Sequence, residues 1–241
     1  MRREFVVKPV DGNFSLKEHI YDVLKEAIMA MNIYADDAQL KLDERQLSEQ
    51  LQISRTPIRE ALARLEQEGL VRIVPRKGVF ILRKSVDEIL EMITVWAALE
   101  SMAARLVTER ATDAKIGSLR KLLASFSQDE AKTHLDEYSE ANIRFHRRIL
   151  ELADCALLLS TADGLFLHMR AIRARTMAEG DRIARSIVDH KHIIEAIEAR
   201  DADIAERLVR EHTMKLHDHV KRTWVEPAEP QDAEVAEPAA G

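Results

Sequence analysis

Glycine, proline and cysteine are scarce in this chain: seven, six and one among 241 residues. So few glycines and prolines, beside 32% charged residues, exclude a fold of many tight turns and favour long helices. The lone Cys155 excludes an intrachain disulfide, and a reducing cytoplasm is the expected location. No window approaches the roughly 18 apolar residues that a membrane span needs, and Met1 to Val10 carries no apolar signal-peptide core. What is present is an ordinary hydrophobic fraction of 46%, in a length that allows one large domain or two modest ones.

The net charge of −6 argues against a polyanionic partner until its distribution is read. Residues 225–241 hold five acids and no base, in an Ala/Pro/Glu-rich stretch with nothing to bury, so an acidic disordered tail is expected there. Between Ile53 and Lys84 the balance reverses, with eight bases against three acids. That local excess is what a polyanion would meet.

The pattern predicts a first domain over 14–83. A helix from about Ser15 to Ala30 carries the apolar stripe Ile20, Leu24, Ala27, Ile28 and Met31. A loop follows through Asn32-Ile33-Tyr34-Ala35-Asp36-Asp37. Asp43, with Gln46 three residues on, reads as the cap of a second helix ending near Gln52. Ser54-Arg55-Thr56-Pro57 opens a third: Ser or Thr can cap it, and proline is tolerated in a first turn that has no intrahelical acceptors for its N–H groups. Ile58, Ala61, Leu62 and Leu65 face inward and Gly69 stops the helix. Arg55 and Arg59, four apart, project from one face. Two β-prone runs, Leu70 to Val74 and Val79 to Leu82, flank the basic turn Pro75-Arg76-Lys77-Gly78. Two short helices followed by a basic hairpin make a winged helix-turn-helix, whose second helix enters the DNA major groove, where arginine bonds bidentately to guanine. The alternative is a solvated basic helix and hairpin with no partner.

The run Leu47 to Leu62, containing Ser54-Arg55-Thr56-Pro57-Ile58-Arg59-Glu60-Ala61-Leu62, then Glu68-Gly69-Leu70 and Arg76-Lys77-Gly78, closely resembles the GntR family of bacterial transcription regulators. The resemblance implies that Arg45, Arg55, Thr56 and Arg59 contact DNA, with Lys77 at the basic wing tip and Gly78 letting the wing approach the minor groove. Such regulators bind palindromic double-stranded DNA as homodimers. The chain departs from the family in having no glycine between Ala30 and Leu40, so Asn32 is expected to take the left-handed conformation there.

From 85 to 224 everything reads as helix, in six spans: Val86–Glu109, Thr112–Ser127, Glu130–Leu152, Ala156–Met177, Asp181–Ala199 and Ala202–Arg222. The expected fold class is therefore mostly α: a winged helix-turn-helix followed by an all-α bundle of about six helices. No strand-glycine-helix nucleotide fingerprint is present.

Four of the nine histidines fall on apolar stripes: His146, His168, His190 and His212. His134, His192 and His217 fall off theirs and read as solvated, while His219 is nearly in phase with His212. Imidazoles converging in an apolar bundle suit a divalent metal such as zinc, nickel or manganese. The alternative is that each is a hydrogen-bonded core residue.

Asn142 to His146, Asp189 to Ile197, Arg200-Asp201 and Ala205 to His212, with Val95 to Glu100 ahead of them, resemble the FCD ligand-binding domain of FadR-type regulators. The resemblance implies a metal held by Asn142, His146, His190 and His212, and a small-molecule carboxylate effector that completes the coordination and pairs with arginine. Arg170, Arg173 and the neighbouring His168 are the candidates for binding that effector, the two arginines being otherwise surface charges. Asn142 stands where an aspartate is commoner, which removes a ligand charge, and Trp96 stands where many members carry arginine. Two other readings remain open at this point. A metal-dependent hydrolase would need a general base, but no H-E-x-x-H string or placed carboxylate provides one. A DNA-binding protein without an effector would use the histidines as core.

Overall fold

The computed structural model describes residues 16–35, 37–123, 135–177 and 181–225. The fold is mostly α: nine helices and one three-stranded sheet among these residues. The chain divides into two compact units. The first comprises, among the described residues, 16–30 and 39–82, and the second 31–38 and 83–225.

In the first unit, α1 (Leu16–Ala30) packs on α3 (Arg55–Gln67). Ile20, Leu24 and Ile28 of the one and Ile58, Leu62 and Leu65 of the other are all buried, the i, i+3/i+4 stripes the sequence displays. α2 (Glu44–Leu51) is capped by Asp43, whose carboxylate accepts from Arg45 N at 2.7 Å and Gln46 N at 3.0 Å. It ends at Gln52 in the left-handed region, φ 55°. Ser54 occupies the cap position of α3 without a capping side-chain bond. After α3, Gly69 turns left-handed at φ 71° and Leu70 N closes onto Leu65 O at 3.0 Å, a helix end that favours glycine. β2 (Val71–Val74) and β3 (Gly78–Ile81) then form the expected antiparallel hairpin, with Val74 opposite Gly78. Its turn is tight because Arg76 and Gly78 both have positive φ, 68° and 118°. β1 (Lys41–Leu42) adds a third strand on the far side of β3. Two residues are too short for a period, so nothing in the sequence marks β1 as a strand.

The second unit holds α4 (Val86–Arg110), α5 (Asp113–Leu123), α6 (Leu135–Leu152), α7 (Ala156–Met177), α8 (Arg182–Glu198) and α9 (Ala202–Thr223). Ser85 and Glu88 form a reciprocal capping box at the start of α4, and Asp201 caps α9 through Ile204 N at 3.1 Å. α4 lies along α9, and α6 packs against α4, α5 and α7. The expected end of the second span near Ser127, the start of the third at Glu130, and the acidic tail from Glu226 on lie outside the described residues. Among those residues no helix is long and apolar enough to cross a membrane.

The segment after α1 departs from expectation. Asn32 is not left-handed; the described non-glycine residues with positive φ are Gln52, Arg76, Asp154 and Arg200. Residues 31–38 belong to the second unit rather than the first. Ile33 and Tyr34 are fully buried there. Arg83 donates to Ile33 O and to Ala35 O, both at 2.6 Å, and Arg175 to Tyr34 O at 3.0 Å. An isoleucine and a tyrosine in a connecting segment need cover, and the helical unit supplies it.

Candidate functional site

Two groups of residues carry chemistry. In the first unit, Arg55, Thr56 and Arg59 are all exposed at the start of α3, whose Ile58 and Leu62 are buried. Arg45 is exposed on α2 and bonded to Glu49 at 2.9 Å, while Arg59 reaches Glu44 at 2.6 Å. Exposed ion pairs of this kind contribute only about 0–1 kcal/mol, so a phosphate or base can take either arginine from its partner. Lys77 is exposed in the hairpin turn beside Gly78.

In the second unit, His146 on α6, His190 on α8 and His212 on α9 converge. A ligating atom from each lies within 4.8 Å of the others, and all three side chains are buried. His146 Nε2 and His190 Nε2 are 3.3 Å apart. That is the edge defined by two nitrogens bound about 2.0 Å from a common tetrahedral ion. Two of the rings are held from behind by carboxylates: His146 Nδ1 by Glu100, and His212 Nδ1 by Asp189 Oδ2 at 3.0 Å. Each carboxylate fixes its ring and leaves Nε2 for the cluster, the usual setting of a metal-binding imidazole. Burial pushes His146 and His190 well below the ordinary histidine range, helped by the neighbouring cations. His212 is lowered too, chiefly by burial, against the pull of Asp189. Neutral imidazoles with lone pairs are what a metal requires.

Asn142, one turn before His146, is also buried. Ser186 Oγ donates to its Oδ1 at 3.5 Å, and its Nδ2 has no hydrogen-bond partner. His190 Nδ1 is likewise buried without one. Buried polar atoms are rarely left unpaired, and half a turn of the amide exchanges its oxygen for Nδ2. The three imidazoles fit a divalent ion, and the incompletely satisfied Asn142 amide is buried one turn before His146.

Behind the histidines lies a network the sequence reading did not assign. Glu100 is completely buried. Its Oε2 accepts from Trp96 Nε1 at 2.8 Å, Thr213 Oγ1 at 3.1 Å and Arg173 Nη2 at 3.4 Å. Burial raises the Glu100 pKa, while Arg173 pulls it back. Arg173 Nη1 also meets His146 Nε2. The signal for Glu100 was available: a carboxylate in phase with the apolar stripe Ile93, Trp96, Ala97, Ala103, Ala104 and Val107 of α4.

Of the three residues assigned to an effector, only Arg173 joins this cluster. Arg170 pairs with Glu140, and buried His168 bonds through Nδ1 to Tyr34 Oη at 2.9 Å. A cavity of about 280 Å³ adjoins His212 and Ser186 instead, lined by Arg182, Arg185, Lys215 and Arg222 against Asp189 and Asp218. Its surroundings are basic, and its size is near the lower end for small-molecule pockets.

Comparison with known proteins agrees with this architecture. Residues 16–81 match the model of the bacterial regulatory proteins of the gntR family, and residues 91–215 that of the FCD domain. The chain is 31% identical over 181 residues to the Nta operon transcriptional regulator of Aminobacter aminovorans, covering 75% of this chain and 84% of that one. It is 24% identical over 207 residues to the transcriptional repressor RspR of Escherichia coli, covering 86% and 90%. Escherichia coli McbR/YncC superposes with a TM-score of 0.71 at 21% identity over 87% of this chain and 99% of that one, which shows a shared fold. The chain thus belongs to the gntR family of bacterial regulatory proteins and carries an FCD domain: it is a DNA-binding transcription regulator and not an enzyme.

Proposed function

We propose that the protein is a cytoplasmic repressor. As a homodimer it binds a palindromic double-stranded operator and responds to a small organic acid through a divalent metal, zinc, nickel or manganese. The observation that carries this reading is the meeting of His146, His190 and His212 from three helices, with carboxylates behind two of the rings. Asn142 completes the protein ligands. A bound ion would supply an electrophilic centre for a carboxylate oxygen, since four protein ligands do not fill an octahedral sphere.

The chain's own residues favour an anion. Asn142 brings no charge to offset a divalent ion, and the basic cavity beside His212 faces an approaching acid with Arg182, Arg185, Lys215 and Arg222. Arg173 has the planar fork that pairs bidentately with carboxylates. α7 links the cluster to the connecting segment: it carries Arg173, and also His168 and Arg175, both bonded to Tyr34. On the DNA side, Arg55 and Arg59 read base edges. Arg45, Thr56 and the α3 N-terminus hold phosphates, and Lys77 and Gly78 bring the wing to the backbone.

The test is elemental analysis of the purified protein, followed by operator-fragment binding with and without metal across a panel of small organic acids. Protein without metal, or operator affinity that no acid changes in the metal-loaded state, would overturn the proposal.

A further inference from the structure

The Glu100–Arg173 pair stands closer to the histidines than a structural ion pair requires, and its position has a consequence for metal entry. His146 has two ring nitrogens. Nδ1 is taken by Glu100, and Nε2, turned toward His190 Nε2 at 3.3 Å, is met by Arg173 Nη1. One lone pair cannot serve a guanidinium and a metal ion together. We propose that Arg173 is an internal cation that occupies the histidine cluster in the metal-free protein and must be displaced from His146 for a divalent ion to bind. The inference rests on the metal reading above and adds a residue that regulates the site.

Three further observations support it. Arg173 and Glu100 are a fully buried pair, 5% and 0% exposed at the side chain, so the cluster without metal is charge-balanced rather than empty of cations. Arg173 Nε is buried with no hydrogen-bond partner, so the guanidinium is incompletely satisfied where it stands. Asn142 contributes no charge, so the carboxylate available to balance an incoming ion through His146 is the one that Arg173 now neutralises. Displacement passes the Glu100 charge from the arginine to the metal, and the site alternates between two compensated states.

Calorimetric titration of zinc and of cobalt(II) into the metal-stripped full-length chain tests this with three proteins: wild type, Arg173→Met, and Glu100→Gln/Arg173→Met. The single variant removes the competitor and leaves Glu100 charged. The double variant keeps the pair's net charge at the wild-type value of zero and retains an acceptor oxygen for His146 Nδ1, so a net tightening there reports the vacated His146 nitrogen. It also leaves no lone buried charge to compromise folding. Both variants should bind zinc on the order of tenfold more tightly than wild type, the single variant because a positive charge beside a divalent ion is gone and the double variant because the His146 Nε2 lone pair is free. Wild type that binds zinc as tightly as the double variant would overturn the competitor role and leave the metal site standing. Failure of all three to bind either metal would overturn both.

Discussion

His168 offers a sharp quantitative test because it is a buried titratable group set apart from the three-histidine cluster. It is 2% exposed. Burial, aided by Lys84 and opposed by Glu88, pushes its pKa down from 6.5 to about 4. Lys84 N donates to Tyr34 Oη at 3.4 Å, which leaves the phenol proton for His168 Nδ1. A protonated imidazole would put a second proton into that bond. The folded pKa lies below the unfolded one, so between them the unfolded chain holds a proton that the folded chain lacks. The associated stability is fully present above pH 6.5 and falls as the pH drops toward 4. Linkage gives a loss, relative to pH 7, of about 2 kcal/mol at pH 5 and about 3 kcal/mol at pH 4 from this residue alone. His168→Gln retains an acceptor for Tyr34 and cannot titrate. The assay is urea denaturation at pH 7, 5 and 4, followed by tryptophan fluorescence; both tryptophans, Trp96 and Trp224, lie in the second unit. Acid effects on His146, His190 and His212 are common to both proteins and cancel in the difference. Stability profiles of wild type and His168→Gln that run parallel from pH 7 to pH 4 would refute the reasoning.

Other substitutions address the remaining parts. Arg55→Ala and Arg59→Ala should each weaken operator binding by about 1–3 kcal/mol and relax specificity at the bases they read; fluorescence anisotropy with cognate and mutated operators checks this, and unchanged affinity in both rules out α3 as the reader. Asn142→Asp should tighten zinc binding by restoring a ligand charge, measured by competition with a chelator, and equal affinity would remove residue 142 from the ligand set. His190→Ala should abolish metal retention and acid response while operator binding persists, and metal content equal to wild type would count against the cluster. Gly69→Ala should destabilise the first unit by about 1–2 kcal/mol, because φ 71° is a left-handed backbone that alanine resists; an unchanged melting temperature would contradict that account.

The sequence by itself determined the helices and the winged helix-turn-helix. The stripes Ile20-Leu24-Ile28 and Ile58-Leu62-Leu65, the Asp43 cap, the Gly69 stop and the Pro75 to Gly78 turn are signals within a few residues of one another, and local geometry reads them directly. The inward phase of His146, His190 and His212 was legible for the same reason. Periodicity says which side of a helix a residue takes, and it does not say which residues on other helices it meets. Only the tertiary structure brought His146 and His190 to 3.3 Å, put Glu100 and Asp189 behind the rings, and admitted Arg173 while giving Arg170 to Glu140 and His168 to Tyr34. It alone placed β1 beside β3 and residues 31–38 in the helical unit. Those outcomes depend on contacts between residues from 23 to more than 130 positions apart along the chain, where burial and pairing of charges, rather than local pattern, decide which partner each side chain takes.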